Sequence, residues 1–240
     1  MNFIKKIRNK IKDKIRYCKK KRLLEEYKKN NNISIFVEDL QRVSLKIEGQ
    51  GNTVVVGKLR EGGGIINLNI VGNNNALTIG EGCYVSKCLS IHMGQNHCNF
   101  GLIENTKCSI GKNCSFEGCN IKTFNSNANI DIGDRCMVSY NVNLYHTDGH
   151  PIMDYETRKI INKVKNMNIG DHVWLGANST ILKNSSIPNN SIVGWGSVVS
   201  GKYYTQDEGG VVLAGNPSKV VKQGIIWDAN GNNGYVQNIF

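Results

Sequence analysis

A six-residue period between Ile169 and Val199 constrains this 240-residue chain more than any other feature. An aliphatic side chain returns as Ile169, Leu175, Ile181, Ile187, Val193 and Val199. Four places after each of the first five stands a compact residue: Val173, Ser179, Ser185, Ser191 and Ser197. Neither the 3.6-residue helical repeat nor the two-residue alternation of a hairpin strand produces this spacing, whereas a solenoid does. Three hexads make one triangular coil in which the aliphatic residue points inward and the small residue fills the corner. Glycine or asparagine takes the turn. One coil cannot bury its apolar face alone, so coils stack.

The six-step continues upstream in ragged form, through Ile79, Val85 and Ile91, then Ile110 and Phe116, then Ile132, Val138 and Leu144. Further back, the stretch Ile47-x-Gly49-x-x-Asn52-x-Val54-x-Val56-Gly57 is echoed by Ile70-x-Gly72-x-x-Asn75-x-Leu77-x-Ile79-Gly80. Matching glycines and asparagines predict equivalent corners in successive coils, with Arg60–Gly64 as an extra loop. Seven or eight coils at about 4.8 Å each give a prism on the order of 35 Å tall. Cys83, Cys114 and Cys136 each follow an isoleucine by four places, the small-residue corner. They read as buried thiols filling the prism, which suits a reducing cytoplasm. The chain has no CxxC pair, no secretory signal pattern and no apolar run of about 18 residues.

Charge divides the chain. Residues 1–30 contain thirteen Lys or Arg against three Asp or Glu, while residues 31–240 carry seventeen against sixteen. Within the basic segment, Ile4, Ile7, Ile11, Ile15 and Cys18 recur at helical spacing, predicting a basic amphipathic helix over residues 1–28. Such a helix suits an anionic membrane surface, which would be the inner face of the plasma membrane, or a partner subunit. Nucleic acid is disfavoured, because neither aromatic interleaving nor a nucleic-acid motif accompanies the lysines. The body then spans residues 31–222. Val211–Val221 reads as a last strand entering a short terminal helix, and the Gly/Asn-rich tail 223–240 carries no assignment.

The ruler breaks once within the regular region. After Leu144 the next in-phase residue is Ile169, so about nineteen residues are inserted, in a loop set at residues 145–168. Insertions in a solenoid project from one face and tend to carry function. This one begins Tyr145-His-Thr-Asp-Gly-His-Pro-Ile-Met-Asp-Tyr-Glu-Thr-Arg158 and is the polar, histidine-bearing excursion of the chain. Histidine suits a general base, since its ordinary pKa near 6.5 leaves it mostly neutral yet basic around pH 7.

Ile169-Gly-Asp-His-Val-Trp-Leu-Gly-Ala-Asn-Ser-Thr-Ile181, Ile192-Val-Gly-Trp-Gly-Ser-Val-Val199 and Ala214-Gly-Asn-Pro-Ser-Lys-Val220 resemble the signature of hexapeptide-repeat acyltransferases. The resemblance implies an all-β solenoid wound as a left-handed parallel β-helix, an exception to the usual right-handed crossover. It implies acetyl-coenzyme A as co-substrate, no metal, and a homotrimer with sites between subunits. Asp148-Gly-His-Pro151, with His150 twenty-four residues before Trp174, matches the family's catalytic loop. His150 is thereby the expected catalytic base, with Asp148 orienting it or only capping a turn, and His146 is the runner-up base.

For the coenzyme, the resemblance implies contacts from Trp174 and from backbone groups of Gly176, Ala177 and Gly196, with Lys219 toward the nucleotide phosphates. Trp195 departs from the family's usual alanine, and would either wall or block the pantetheine slot. The loop segment is most similar to sugar O-acetyltransferases acting on bacterial capsules, sialic acid polymers or lipopolysaccharide. The expected acceptor is then a sugar hydroxyl, held by Asn143, Tyr145, His146, Asp154, Tyr155 and Arg158, an arginine being able to grip a carboxylate bidentately. The competing readings are an N-acetyltransferase acting on a nucleotide-linked amino sugar and a non-catalytic glycan- or membrane-binding solenoid. A zinc hydrolase on the same scaffold is suggested only by the spacing of His92 and His97, with no third histidine upstream to complete a shell.

Overall fold

The computed structural model describes residues 2–94, 102–205 and 209–229. After one helix, α1 (Asn2–Tyr27), nearly every regular element is a short strand, and the strands pair in parallel from coil to coil. The first face is a seven-stranded sheet from Asn32–Ile35 to Ser186–Ile187, one strand per coil. The second and third faces join into one thirteen-stranded sheet, because Tyr84–Met93 and Ser115–Thr123 bend around the corner between them.

Register shows how the hexads build this stack. Ile169 pairs with Ile187, Leu175 with Val193 and Ile181 with Val199, each eighteen residues on. Their side chains are at most 3% exposed, and Val173, Ser179, Ser185, Ser191 and Ser197 are buried beside them. Ile47 pairs with Ile70, and Val54 and Val56 with Leu77 and Ile79, as the internal echo predicts. Full burial of each such aliphatic residue is worth roughly 1.5–3 kcal/mol, so the prism interior is the main source of stability.

Two corner devices carry the upper coils. Gly49 and Gly72 stack in left-handed conformation at φ +126° and +138°. A Cβ on Gly49 would lie 2.0 Å from the Gly72 carbonyl oxygen, and one on Gly72 would lie 1.9 Å from that of Ile103. Beside them runs a buried amide ladder. Asn52 Nδ2 donates to the Gly72 carbonyl, the Asn75 amide groups donate to Asn52 Oδ1, and Thr106 N–H donates to Asn75 Oδ1. At other corners asparagine takes the left-handed position, as at Asn113, Asn141, Asn178 and Asn190. Its short polar side chain tolerates that region better than other non-glycine residues.

Cys83, Cys114 and Cys136 fill the predicted corner positions, and each thiol donates to a glycine carbonyl of the next coil, at 3.2 Å. The hydrogen bond with the Cys136 thiol, and then burial, push the Cys114 pKa up to about 12, against the opposing contact with Cys83.

The expected terminal helix does not form. Gly210–Gly215 lies parallel to Ile192–Val193, then Ser218–Ile225 turns back antiparallel to it. Paired β-branched residues at Val211–Val212 and Val220–Val221 favour strand, and the hairpin pairs an edge that would otherwise stay open. At the other end, α1 packs Tyr17, Leu24 and Tyr27 against the first coils. Lys20 reaches the carbonyls of Leu40, Gln41 and Val43, tying the helix to the end of the 3-10 turn Val37–Gln41.

Candidate functional site

The projecting loop leaves the third face after the strand Val142–His146 and rejoins the first face at Met167–Ile169. Ile132 pairs with Ile169, thirty-seven residues on, so the excursion adds nineteen residues to one coil without disturbing register. Its outer part is a small hairpin, bridged at Met153 and Ile160 and bonded from Ile161 N–H to the Ile152 carbonyl.

At the loop base lies a pocket of ≈ 180 Å³ lined by Asp148, Gly149, His150 and Pro151 on one side and by Phe124, Asn125 and Asn162 among the facing residues. The Asp148 carboxylate forms an ion pair with Lys183 and accepts a 2.7 Å hydrogen bond from Asn162 Nδ2. The same Asn162 amide donates to the His150 carbonyl at 2.9 Å, while Lys183 Nζ donates to the Asn162 carbonyl at 2.8 Å. Partial burial pushes the Asp148 pKa upward. The hydrogen bonds from Lys183 and Asn162, with the lysine charge, outweigh that and hold the carboxyl below its ordinary value. Asp148 is thus fixed as an anion that anchors the loop backbone at His150.

His146 is not a loop residue. It is fully buried at the end of its strand, in the inward series Val142, Leu144, His146. Its Nε2 lies 2.5 Å from the Lys165 carbonyl, so this nitrogen carries the proton, leaving Nδ1 to accept from the Thr123 hydroxyl at 3.3 Å. Burial holds its pKa below the ordinary value, with the Lys183 charge acting in the same direction and the Lys165 carbonyl opposing. His146 therefore closes the loop root from inside and has no surface to offer a sugar.

The other acceptor-side candidates are dispersed. Asp154 accepts from the Thr157 backbone and hydroxyl, which hold its carboxyl below the ordinary value, so it caps the hairpin turn. Tyr155 is 82% exposed with the Arg158 guanidinium 5.1 Å over its ring. Asn143 and Tyr145 face outward on the third face, Asn143 accepting from Asn120 and Tyr145 lying under Lys122.

Trp174 sits on the second face, across the prism from the corner that carries the loop. Its Nε1 donates to Ser139 Oγ at 3.3 Å, beside a groove of ≈ 200 Å³ lined by Tyr84, Ser115, Met137 and Ser139 among others. Trp227, in the tail left unassigned by sequence, stacks on His172 at 4.2 Å, donates to the His172 carbonyl and approaches Trp174 at 5.9 Å.

Trp195 is 67% exposed and meets Tyr140 edge-on at 5.3 Å. The two residues hold equivalent corner positions in the coils on either side of Ala177, so the rings meet across it. Ala177 is buried, and its carbonyl accepts from Gly196 N–H. Gly176 N–H is likewise committed to the Val193 carbonyl. These two glycine amides are therefore committed within the coil stack. Lys219 is exposed on the terminal hairpin opposite Ala214.

Sequence reasoning missed Asn162, Lys183 and Trp227. Lys183 lies one coil beyond Lys165 at the loop root, and that eighteen-residue offset was the available signal. His92 is half-buried, with its pKa lowered by burial and by Lys122, and His97 lies outside the described residues. Among the described residues no three His, Cys, Asp or Glu side chains cluster as metal ligands.

No family model matches the chain. It is 35% identical over 131 residues to the polysialic acid O-acetyltransferase of Neisseria meningitidis, covering 48% of this chain and 59% of that protein. It is 32% identical over 123 residues to the polysialic acid O-acetyltransferase of Escherichia coli O1:K1, covering 51% and 38%. The chain thus spans about three-fifths or less of these curated relatives. Among solved structures, the polysialic acid-specific acetyltransferase NeuO superposes with a TM-score of 0.59 at 30% identity, covering 80% of this chain and 91% of that one. With its parallel triangular stack and that likeness over nearly the whole of the solved relative, the chain belongs to the hexapeptide-repeat acetyltransferases, which fold as left-handed parallel β-helices.

Proposed function

We propose that this protein transfers an acetyl group from acetyl-coenzyme A to a hydroxyl of a bacterial capsular glycan, a sialic acid polymer being the favoured acceptor. The observation that carries the reading is the loop-base pocket, where His150 stands on a backbone anchored by Asn162, Asp148 and Lys183. In the reaction His150 takes the proton of the attacking hydroxyl. The hydroxyl oxygen adds to the thioester carbonyl, the carbon–sulfur bond breaks, and the proton passes to the departing thiolate. General-base assistance of this kind is worth about 10²- to 10⁴-fold. The sialic acid acceptor is supported by what the two curated relatives are named for.

The site is shared between subunits of a trimer in this reading. The loop pocket lies at the corner between the third and first faces, whereas Trp174 and its groove lie on the second. A histidine and a coenzyme wall on opposite sides of one prism act together only when a neighbouring prism supplies one of them. Exposed Ile152, Met153, Ile160 and Ile161 on the loop hairpin suit burial against that neighbour.

The test is acetyl-coenzyme A consumption against a panel of sialic acid polymers, neutral oligosaccharides and nucleotide amino sugars. An acetyl group released from the product by hydroxylamine is the expected result. A hydroxylamine-resistant product would assign the chemistry to an amine, and no transfer to any acceptor would overturn the catalytic reading.

A further inference from the structure

The helix α1 has two apolar sides, and the body uses one of them. At about 100° per residue, Tyr17, Lys20, Leu24 and Tyr27 fall on one face of the helix. This is the face that packs on the first coils and on the 3-10 turn. Ile11 and Ile15 project from roughly the opposite side, and they are 53% and 52% exposed. Their position therefore has no explanation in the packing of this chain.

Charge indicates what covers them. Lys10, Lys14 and Lys21 fall along one border of the isoleucine stripe and Lys12 and Lys19 along the other, all exposed. Asp13, the sole acidic residue before Glu25, lies on the body-facing side. A narrow apolar stripe between two rows of lysine suits a helix lying in the plane of an anionic lipid surface. The isoleucines enter the headgroup boundary while the lysine stems extend outward to phosphate. Packing of such stripes between copies of the chain would bring together segments that each carry a large positive charge: Glu25 and Glu26 flank the stripe only in the last turn of the helix, and Glu25 is paired with Lys28. No helix among the described residues is long and apolar enough to span a membrane.

We infer that α1 is a peripheral anchor that binds anionic lipid through Ile11, Ile15 and the flanking lysines, holding the prism at a membrane surface while the loop pocket stays free.

The test uses the full chain and the double variant Ile11→Asp/Ile15→Asp in flotation with phosphatidylcholine vesicles, with and without about 30% phosphatidylglycerol. Both positions are exposed, so melting temperature should not change. The wild type is expected to float with the anionic vesicles and not the neutral ones, and the variant to lose at least tenfold in partitioning. Failure of the wild type to float overturns the inference, as does undiminished flotation of the variant. If the variant instead falls to a smaller assembly by sedimentation while vesicle binding persists, the stripe is a contact between copies and the lipid anchor is rejected. None of these outcomes depends on acetyl transfer.

Discussion

Lys183 forms an ion pair with Asp148 across the root of the projecting loop, from the coil stacked on it. Through Asn162, which bonds both the Asp148 carboxylate and the His150 carbonyl, this pair fixes the backbone that carries the proposed base. Lys183→Met should lower kcat by about tenfold or more while leaving the fold intact, because it frees the loop without touching the prism interior. The folded-state pKa of Asp148 is depressed, so its contribution is present above the ordinary carboxylate value near 4 and is lost as pH falls through the folded value. Limited proteolysis between Asp148 and Lys165 should accelerate below about pH 4 in the wild type. In the variant it should already be fast at pH 7.

Replacing His150 by alanine should reduce turnover by at least about 10² with little change in melting temperature, since the side chain is exposed. Steady-state kinetics with acetyl-coenzyme A and whichever acceptor the panel of glycans and sugars reveals check this, and near wild-type turnover would remove His150 from the mechanism.

His146 gives a prediction with the same pH sense and a different cause. Burial lowers its folded pKa, so the folded state prefers the neutral ring. Its stabilising contribution is complete above the ordinary value near 6.5 and is lost as pH falls from there toward the folded pKa. Melting temperature should decline from about pH 6.5 downward, and a His146→Gln variant should flatten that slope while being less stable at pH 7.5.

Gly72→Ala should abolish folding of the upper coils. The added Cβ meets backbone, not a side chain that could rotate away, and the φ of +138° excludes alanine as well. Circular dichroism of the purified variant, or its failure to appear in the soluble fraction, reads the outcome. Gly63→Ala is the control, because a Cβ there has nothing within 4 Å.

Trp195→Ala removes the edge contact with Tyr140 and uncovers Ala177. If the ring walls the coenzyme slot, KM for acetyl-coenzyme A should rise several-fold with kcat nearly unchanged. A fall in KM would identify the ring as an obstruction.

The coils were legible because the inward residues obey a short rule. An aliphatic residue every sixth place and a small one at the corner leave few ways to stack, and even the nineteen-residue length of the insertion followed from phase. Chemistry at the loop root was less legible, because the contacts that matter join residues one coil apart. Lys183 looks in sequence like any solvated lysine. His146 was read as a loop residue because the insertion seemed to start at Tyr145, although the alternation Val142, Leu144, His146 already pointed it inward. The terminal hairpin departs from expectation for a similar reason: Val211–Val221 reads as a strand entering a short helix, a continuation that the paired valines at its two ends oppose.

The in-register excursion at His146–Met167 makes the prism a socket with one fixed pair of terminals. Whatever segment joins those two points, every residue facing the interior keeps its neighbour on the next rung. Grafting a different loop between them would therefore ask little of the core beyond His146, which bonds the loop root from inside, and Lys183 and Asn184, the side chains of the next coil that reach back to hold it.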